Sequence, residues 1–237
     1  MKKFAFVLSL AVVAVASTSC KKIKGSSTVT TEIRAVDNFT RVEVEDAFEV
    51  DVTYSPTQEL LEVEAPENLH EFIRTEVVSG KLKLHFQHNK RISTKKPVKI
   101  HITTTQLDHF ELSGASRVRL NNALVANDFN LDMSGASNFE GEVNVTQGDI
   151  ELSGASTAKV NGTAMDAFVD LSGASTLRKY EFEIETLDVK LSGASTAFLT
   201  ILNSMSVELS GASTLNYKGD PVITHINTSG ASNINKN

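Results

Sequence analysis

Cysteine is almost missing from this chain. Cys20 is the only one, so no disulfide can form within it and stability has to come from packing. Tryptophan is absent and tyrosine occurs three times, at Tyr54, Tyr180 and Tyr217, which leaves few flat aromatic platforms for sugar rings. Basic charge is scarce as well. Without Lys2 and Lys3, Lys+Arg falls from 23 to 21 against 29 Asp+Glu, a formal charge of −8. Such a surface argues against nucleic acid, whose phosphates require a basic face, and against electrostatic adhesion to anionic lipid. Phosphate loops, dinucleotide fingerprints and the Gly-x-Ser-x-Gly nucleophile elbow are also missing. One long apolar run exists, Phe4 to Ala16, and it is too short to cross a bilayer comfortably.

That run has a role at the N-terminus. Lys2 and Lys3 precede it, and Ser17-Thr18-Ser19-Cys20 follows, the layout of a secretory signal. A lone Cys directly after an apolar run looks like the acylated cysteine of a bacterial lipoprotein, although Ser17 stands where such signals usually carry an aliphatic residue. The expected division is therefore a signal peptide over 1–19 and a lipidated Cys20 with a polar tether over 20–27. The acyl chains, not charge, would hold the protein to a membrane. Lys21-Lys22 lacks an acidic export cluster, which favours the periplasmic side of an outer membrane.

Repetition dominates the second half. Ser-Gly-Ala-Ser begins at Ser113, Ser134, Ser153, Ser172, Ser192, Ser210 and Ser229, at intervals of 21, 19, 19, 20, 18 and 19 residues. One residue before each copy lie Leu112, Met133, Leu152, Leu171, Leu191, Leu209 and Thr228. Three before it lie Phe110, Leu131, Ile150, Val169, Val189, Val207 and Ile226. Apolar positions two apart indicate a half-buried strand. Apolar residues resume five after the first Ser, from Val118 and Phe139 to Leu215 and Ile234, so a second strand follows the bend. The pattern predicts an all-β chain: a parallel β-helix, or β-solenoid, of about 19-residue coils with Gly-Ala corners stacked in a column. Six intervals at about 4.8 Å give roughly 29 Å of stack. The polar tail Asn233-Ile234-Asn235-Lys236-Asn237 can cap its end.

The region 28–106 lacks the repeat but alternates like strands at Phe48, Val50 and Val52, at Leu82, Leu84 and Phe86, and at Val98, Ile100 and Ile102. It reads either as irregular early coils or as a β-rich cap on the 107–237 solenoid, and 28–237 can be one continuous domain. Pro66 to Val78 has room for one short helix.

Between the two inward positions of each coil lie Glu111, Asp132, Glu151, Asp170, Lys190 and Glu208. If these stack, carboxylates sit one coil apart on one face, where like charges repel by roughly 1 kcal/mol in water-like surroundings. A solvated polar strand face is the plainest reading. A row of hard oxygen ligands also suits Ca²⁺, although the dense Asp/Asn/Gly loop of a dedicated site is absent. Carboxylates about 5 Å apart also match a retaining glycosidase pair. A uniform column, however, gives each the same environment where acid–base catalysis needs two unlike ones. The repeated serines read as a hydroxyl ladder, not a nucleophile, because a nucleophile is singular and needs a base. His85 and His88 are close in sequence, yet no third ligand stands at zinc-like spacing.

The stretch Phe39-Thr40-Arg41-Val42-Glu43-Val44, then Ala65-Pro66-Glu67-Asn68-Leu69, the Gly80-Lys81-Leu82-Lys83-Leu84 segment and the repeated Leu-Ser-Gly-Ala-Ser resemble one known family. It is the auto-transporter adhesin head domain of the GIN type, common in Bacteroidetes lipoproteins. The resemblance spans about Phe39 to Ser232. It implies a right-handed β-helix and brings no catalytic residues. The expected function is a non-catalytic cell-envelope module that binds a glycan, a matrix component or another envelope protein. The alternatives are a polysaccharide-active lyase or glycosidase, and a structural protein that self-associates.

Overall fold

The computed structural model describes residues 22–237. The leader and Cys20 lie outside the described residues, so the signal and acylation readings are carried by sequence alone.

The corner explains the fold. At each Ser-Gly-Ala-Ser the glycine takes φ between 67° and 71°, the left-handed region where a side chain is strained. The corners also stack too closely for anything larger. A Cβ on Gly154 would lie 2.5 Å from the Gly135 carbonyl oxygen, and the later copies repeat this at 2.5–2.6 Å. From the second copy on, the alanine after each glycine donates its N–H to the carbonyl of the glycine one coil below, always at 2.7 Å. The repeat is thus the sequence that lets one coil sit directly on another.

Strands flank each corner in parallel register. Phe110 aligns with Leu131, Leu131 with Ile150 and Ile150 with Val169. After the corner, Val118 aligns with Phe139 and Phe139 with Ala158. These inward positions are at most 2 % exposed and belong to one core running from Phe39 to Tyr217. Phe110, Phe129 and Phe139 meet inside it with ring centroids 5.4–6.1 Å apart.

Residues 28–106 form one further coil and the strands beyond it. Arg41–Val44 pairs in parallel with His109–Leu112, and Glu49–Tyr54 with Arg117–Leu120. Between them Glu45-Asp46-Ala47-Phe48 forms an eighth corner that carries no Ser-Gly-Ala-Ser. Asp46 holds the glycine place at φ 63°, and Ala115 donates to its carbonyl at 2.7 Å. Beyond this coil comes a cap. Lys81–Phe86 stacks in parallel on Arg41–Val44 and forms a hairpin with Ile73–Val78. Lys99–Thr104 pairs with Glu49–Tyr54, and Leu60–Pro66 and Val29–Arg34 close the end in antiparallel pairing. The repeats and the N-terminal region share one continuous sheet.

The short helix for which Pro66 to Val78 has room is a 3-10 helix at Glu67–Phe72, and Ile73–Val78 is claimed by the hairpin. Two expectations are corrected. The described part of the tether is docked, not free. Ile23–Lys24 pairs with Ile92–Ser93, Ser26 donates its N–H to Asn68 Oδ1 at 2.7 Å, and the Asn68 amide donates back to the Lys24 carbonyl at 2.9 Å. The polar tail does not fold across the solenoid's end. Asn233–Lys236 continues the stack as a strand on Thr214–Tyr217, which leaves Val222, Ile223 and Ile226 exposed.

Candidate functional site

The column before the corners exists as the spacing demands. Glu43, Glu111, Asp132, Glu151, Asp170, Lys190, Glu208 and Asn227 are aligned strand to strand without a break. Alternation fixes this face outward, since Phe110, Leu112 and their equivalents fill the inside.

Ion pairs compensate the charge at the N-terminal end of the column and not in its middle. Lys81 Nζ lies 2.6 Å from Glu111 and 3.6 Å from Glu43, Lys83 is 2.9 Å from Glu43, and His109 is 3.1 Å from Glu111. Burial alone would raise the Glu43 carboxyl, but the hydrogen bond from Lys83 and the charges of Lys83 and Lys81 bring it below its ordinary value. At the other end Lys190 stands between Asp170 and Glu208 and lies over the Phe168 ring. Among the described residues no ion pair reaches Asp132, Glu151 or Asp170.

Two further columns deepen the acidity. Asn130, Asp149, Phe168 and Asp188 form one, and Asp128, Gln147, Asp166 and Thr186 the next. They border a shallow recess of about 410 Å³. Gly148 leaves room there, because a Cβ on it would meet only the Ala167 methyl at 3.9 Å. Partial burial holds Glu151 above its ordinary value, with help from Asp149, Asp132 and Asp170. Burial likewise raises Asp149, against the pull of His109, with Asp132 and Asp170 adding to the rise. Oxygens of this kind suit hydrated cations, ammonium groups or sugar hydroxyls.

The face after the corners is different in kind. Arg119 Nε donates to Asp51 Oδ1 at 2.9 Å, Lys159 pairs with Glu140 at 3.6 Å, and the rest of that side continues as Thr157, Thr176, Thr196 and Thr214. This face mixes both signs, with ion pairs at Asp51–Arg119 and Glu140–Lys159, so the acidic side is the better candidate for recognition.

The serines are spent on the stack, and in a more specific way than hydroxyl to hydroxyl. The second Ser of six copies is fully buried and most donate to backbone carbonyls. Ser175 Oγ lies 2.8 Å from the Ser172 carbonyl and 3.2 Å from that of Leu152, and Ser195 and Ser213 repeat the second contact at 3.2 Å. Ser116, above Phe48, has no such partner. One neighbourhood is completed only by the fold. His85 and His88 do find a third potential ligand, in Glu45. No local spacing could have shown it, because the two stretches lie 40 residues apart and are joined by strand register.

Solved structures share this architecture. A putative adhesin from Bacteroides fragilis is 20 % identical, with a TM-score of 0.83 over 91 % of this chain and 100 % of that one. A putative adhesin from Parabacteroides merdae is 15 % identical, with a TM-score of 0.75 over 91 % and 99 %. A putative lipid binding protein from Parabacteroides distasonis is 19 % identical, with a TM-score of 0.73 over 92 % and 100 %. At these identities the likeness establishes the fold. No curated protein matches the sequence. A family model matches residues 38–221, from the strand that opens the first coil to the turn before the last, and by that match the chain belongs to the family described as "Putative auto-transporter adhesin, head GIN domain".

Proposed function

We propose that the chain is a non-catalytic envelope lipoprotein, held by acylated Cys20, that presents its acidic columns to an extended partner such as a surface glycan or another envelope protein. Membership of an adhesin family supports an envelope or cell-surface location and an adhesin-like role. The observation that carries the reading is the unbroken register of Asp132, Glu151 and Asp170, which repeats one chemistry coil after coil. Repetition of weak, equivalent contacts suits a repetitive ligand, since each added contact is intramolecular once the first has formed. Ca²⁺ between carboxylate and ligand oxygens would strengthen such contacts.

The test is a glycan array together with a pull-down from envelope extract, each with and without Ca²⁺. Retention of a defined glycan or protein, lost in an Asp132→Asn/Glu151→Gln/Asp170→Asn variant, is the expected result. Blank results in both formats sink the proposal. For the anchor, Cys20→Ala is expected to abolish acyl labelling and move the protein to the soluble fraction.

One observation favours a second reading. Asp149, which borders the recess, and Glu151 are both raised from their ordinary values by partial burial, the direction a polysaccharide-active enzyme would need in a general acid. New reducing ends or unsaturated products from a polysaccharide panel would establish that reading in place of the first.

A further inference from the structure

At the N-terminal end of the stack, where Glu-Asp-Ala-Phe replaces Ser-Gly-Ala-Ser, three donor side chains converge. The parallel register that aligns Val44 with Leu84 sets Glu45 and His85 side by side on neighbouring strands. Glu45 N–H donates to the Leu84 carbonyl at 3.0 Å, and Phe86 N–H donates to Asp46 Oδ2 at 2.7 Å, so the two strands are locked together at this point. The chain then leaves the strand. Gln87 N–H donates to the Phe72 carbonyl at 2.7 Å, and Asn89 at φ 67° turns the backbone. His88 is thereby folded against His85, ring centroids 4.7 Å apart and planes within 20°. Ligand atoms of Glu45, His85 and His88 all fall within 4.8 Å of one another.

The tautomer of His85 is set for coordination. Its Nδ1 lies 2.8 Å from the Phe86 carbonyl, which can only accept, so Nδ1 carries the proton and Nε2 keeps a lone pair. A backbone carbonyl that accepts the far N–H of a ligating imidazole fixes its tautomer and orientation, as in most protein metal sites. Lys83, the nearby cation, is engaged by Glu43 at 2.9 Å. Two imidazoles and one carboxylate form the donor set of three-ligand zinc sites. Drawing the donors to the roughly 3.3 Å separation of a tetrahedral Zn²⁺ needs a small shift, and His88, exposed on its turn, is free to make it.

We propose that Glu45, His85 and His88 form a divalent transition-metal site of the Zn²⁺ class. The ion would join the first coil of the solenoid to the cap hairpin and keep one coordination position open to water or to a donor from a partner. The acidic columns are separate from it and play no part in it.

Isothermal titration of the tag-free, chelator-stripped mature chain with ZnCl₂ tests this. The expected result is one Zn²⁺ per chain with micromolar or tighter affinity, unaffected by excess Ca²⁺ or Mg²⁺. Glu45→Gln and His88→Ala should each weaken binding by at least about 10–100-fold, the loss typical when only the group supporting a ligand is removed, since these are direct ligands. Asp132→Asn/Glu151→Gln should bind as the wild type does. His88 is exposed, so its variant should melt like the wild type in chelator, which separates lost binding from lost folding. In imidazole ¹⁵N spectra, Zn²⁺ should shift Nε2 of His85 while Nδ1 stays protonated. Absence of stoichiometric binding overturns the site. So does binding that survives His85→Ala/His88→Ala, or that is lost with the acidic-face variant.

Discussion

Two corners of this solenoid follow one backbone path with different sequences. In the repeats the corner is Ser-Gly-Ala-Ser, and in the first coil it is Glu45-Asp46-Ala47-Phe48. Both accept the next alanine N–H at 2.7 Å and both take a left-handed φ. The difference lies underneath. Gly135 to Gly230 each sit on the corner of a preceding coil, which blocks a Cβ at 2.5–2.6 Å. Below Asp46 the cap strand offers instead the Phe86 N–H, which the aspartate side chain accepts at 2.7 Å. Glycine is therefore imposed by the coil below and not by the turn alone.

The comparison can be broken at its strongest point by placing the same alanine in both corners. Gly154→Ala should cost about 3 kcal/mol or more, adding left-handed strain to overlap with the Gly135 carbonyl. Asp46→Ala already has the left-handed geometry and loses one side-chain hydrogen bond, about 1 kcal/mol. Urea unfolding of the two variants should separate them clearly, and equal losses would refute the steric account.

A smaller contrast separates the buried serines. Ser175→Ala removes a hydroxyl that reaches two carbonyls and should cost about 1–2 kcal/mol. Ser116→Ala removes one without a partner and should be neutral or slightly stabilising by the same thermal or chemical melt.

The smallest effect concerns the acidic face against the paired one. Glu151 in the folded chain lies above the ordinary glutamate value of 4.5, so its ionised form costs the folded state stability once pH exceeds the raised value. Glu151→Gln should therefore stabilise at neutral pH by about 0.5 kcal/mol or less, discounted for exposure and salt screening. The gain should vanish as pH falls below 4.5, where the carboxyl is protonated in both states. A loss of stability at pH 7, or a gain that persists in acid, would contradict this.

What could be read in the sequence follows the same division. Where a coil lies below, sterics force Gly and alternation forces Leu152 inward and Glu151 outward, so corners, strands and the acidic column are legible residue by residue. The eighth corner was not, because at the end of the stack the glycine requirement lapses and Asp46 stands in its place. The antiparallel cap was legible only in part: Leu82, Leu84 and Phe86 and Val98, Ile100 and Ile102 alternate as strands, but Ile73–Val78 lies in the span with room for a helix, and Val29–Arg34 on Leu60–Pro66 is a nonlocal pairing. The docking of Ile23–Lys24 rests on Asn68, 44 residues away from Lys24, and the joining of Glu45 to the histidines rests on register; neither leaves a local pattern.

The repeats differ in length, and the surplus residues collect away from the corner. The extra length of the first interval falls at Asn121–Ala123, a later one at the Lys179 turn with φ 101°, and register slips occur between Ile184 and Thr186 and between Met205 and Ser206. The corner ladder is indifferent to all of them. In manufacturing terms the molecule has a fixed spine and a tolerant flank. Whole coils can be inserted or removed without re-cutting the rest, so reach becomes adjustable in steps of about 4.8 Å.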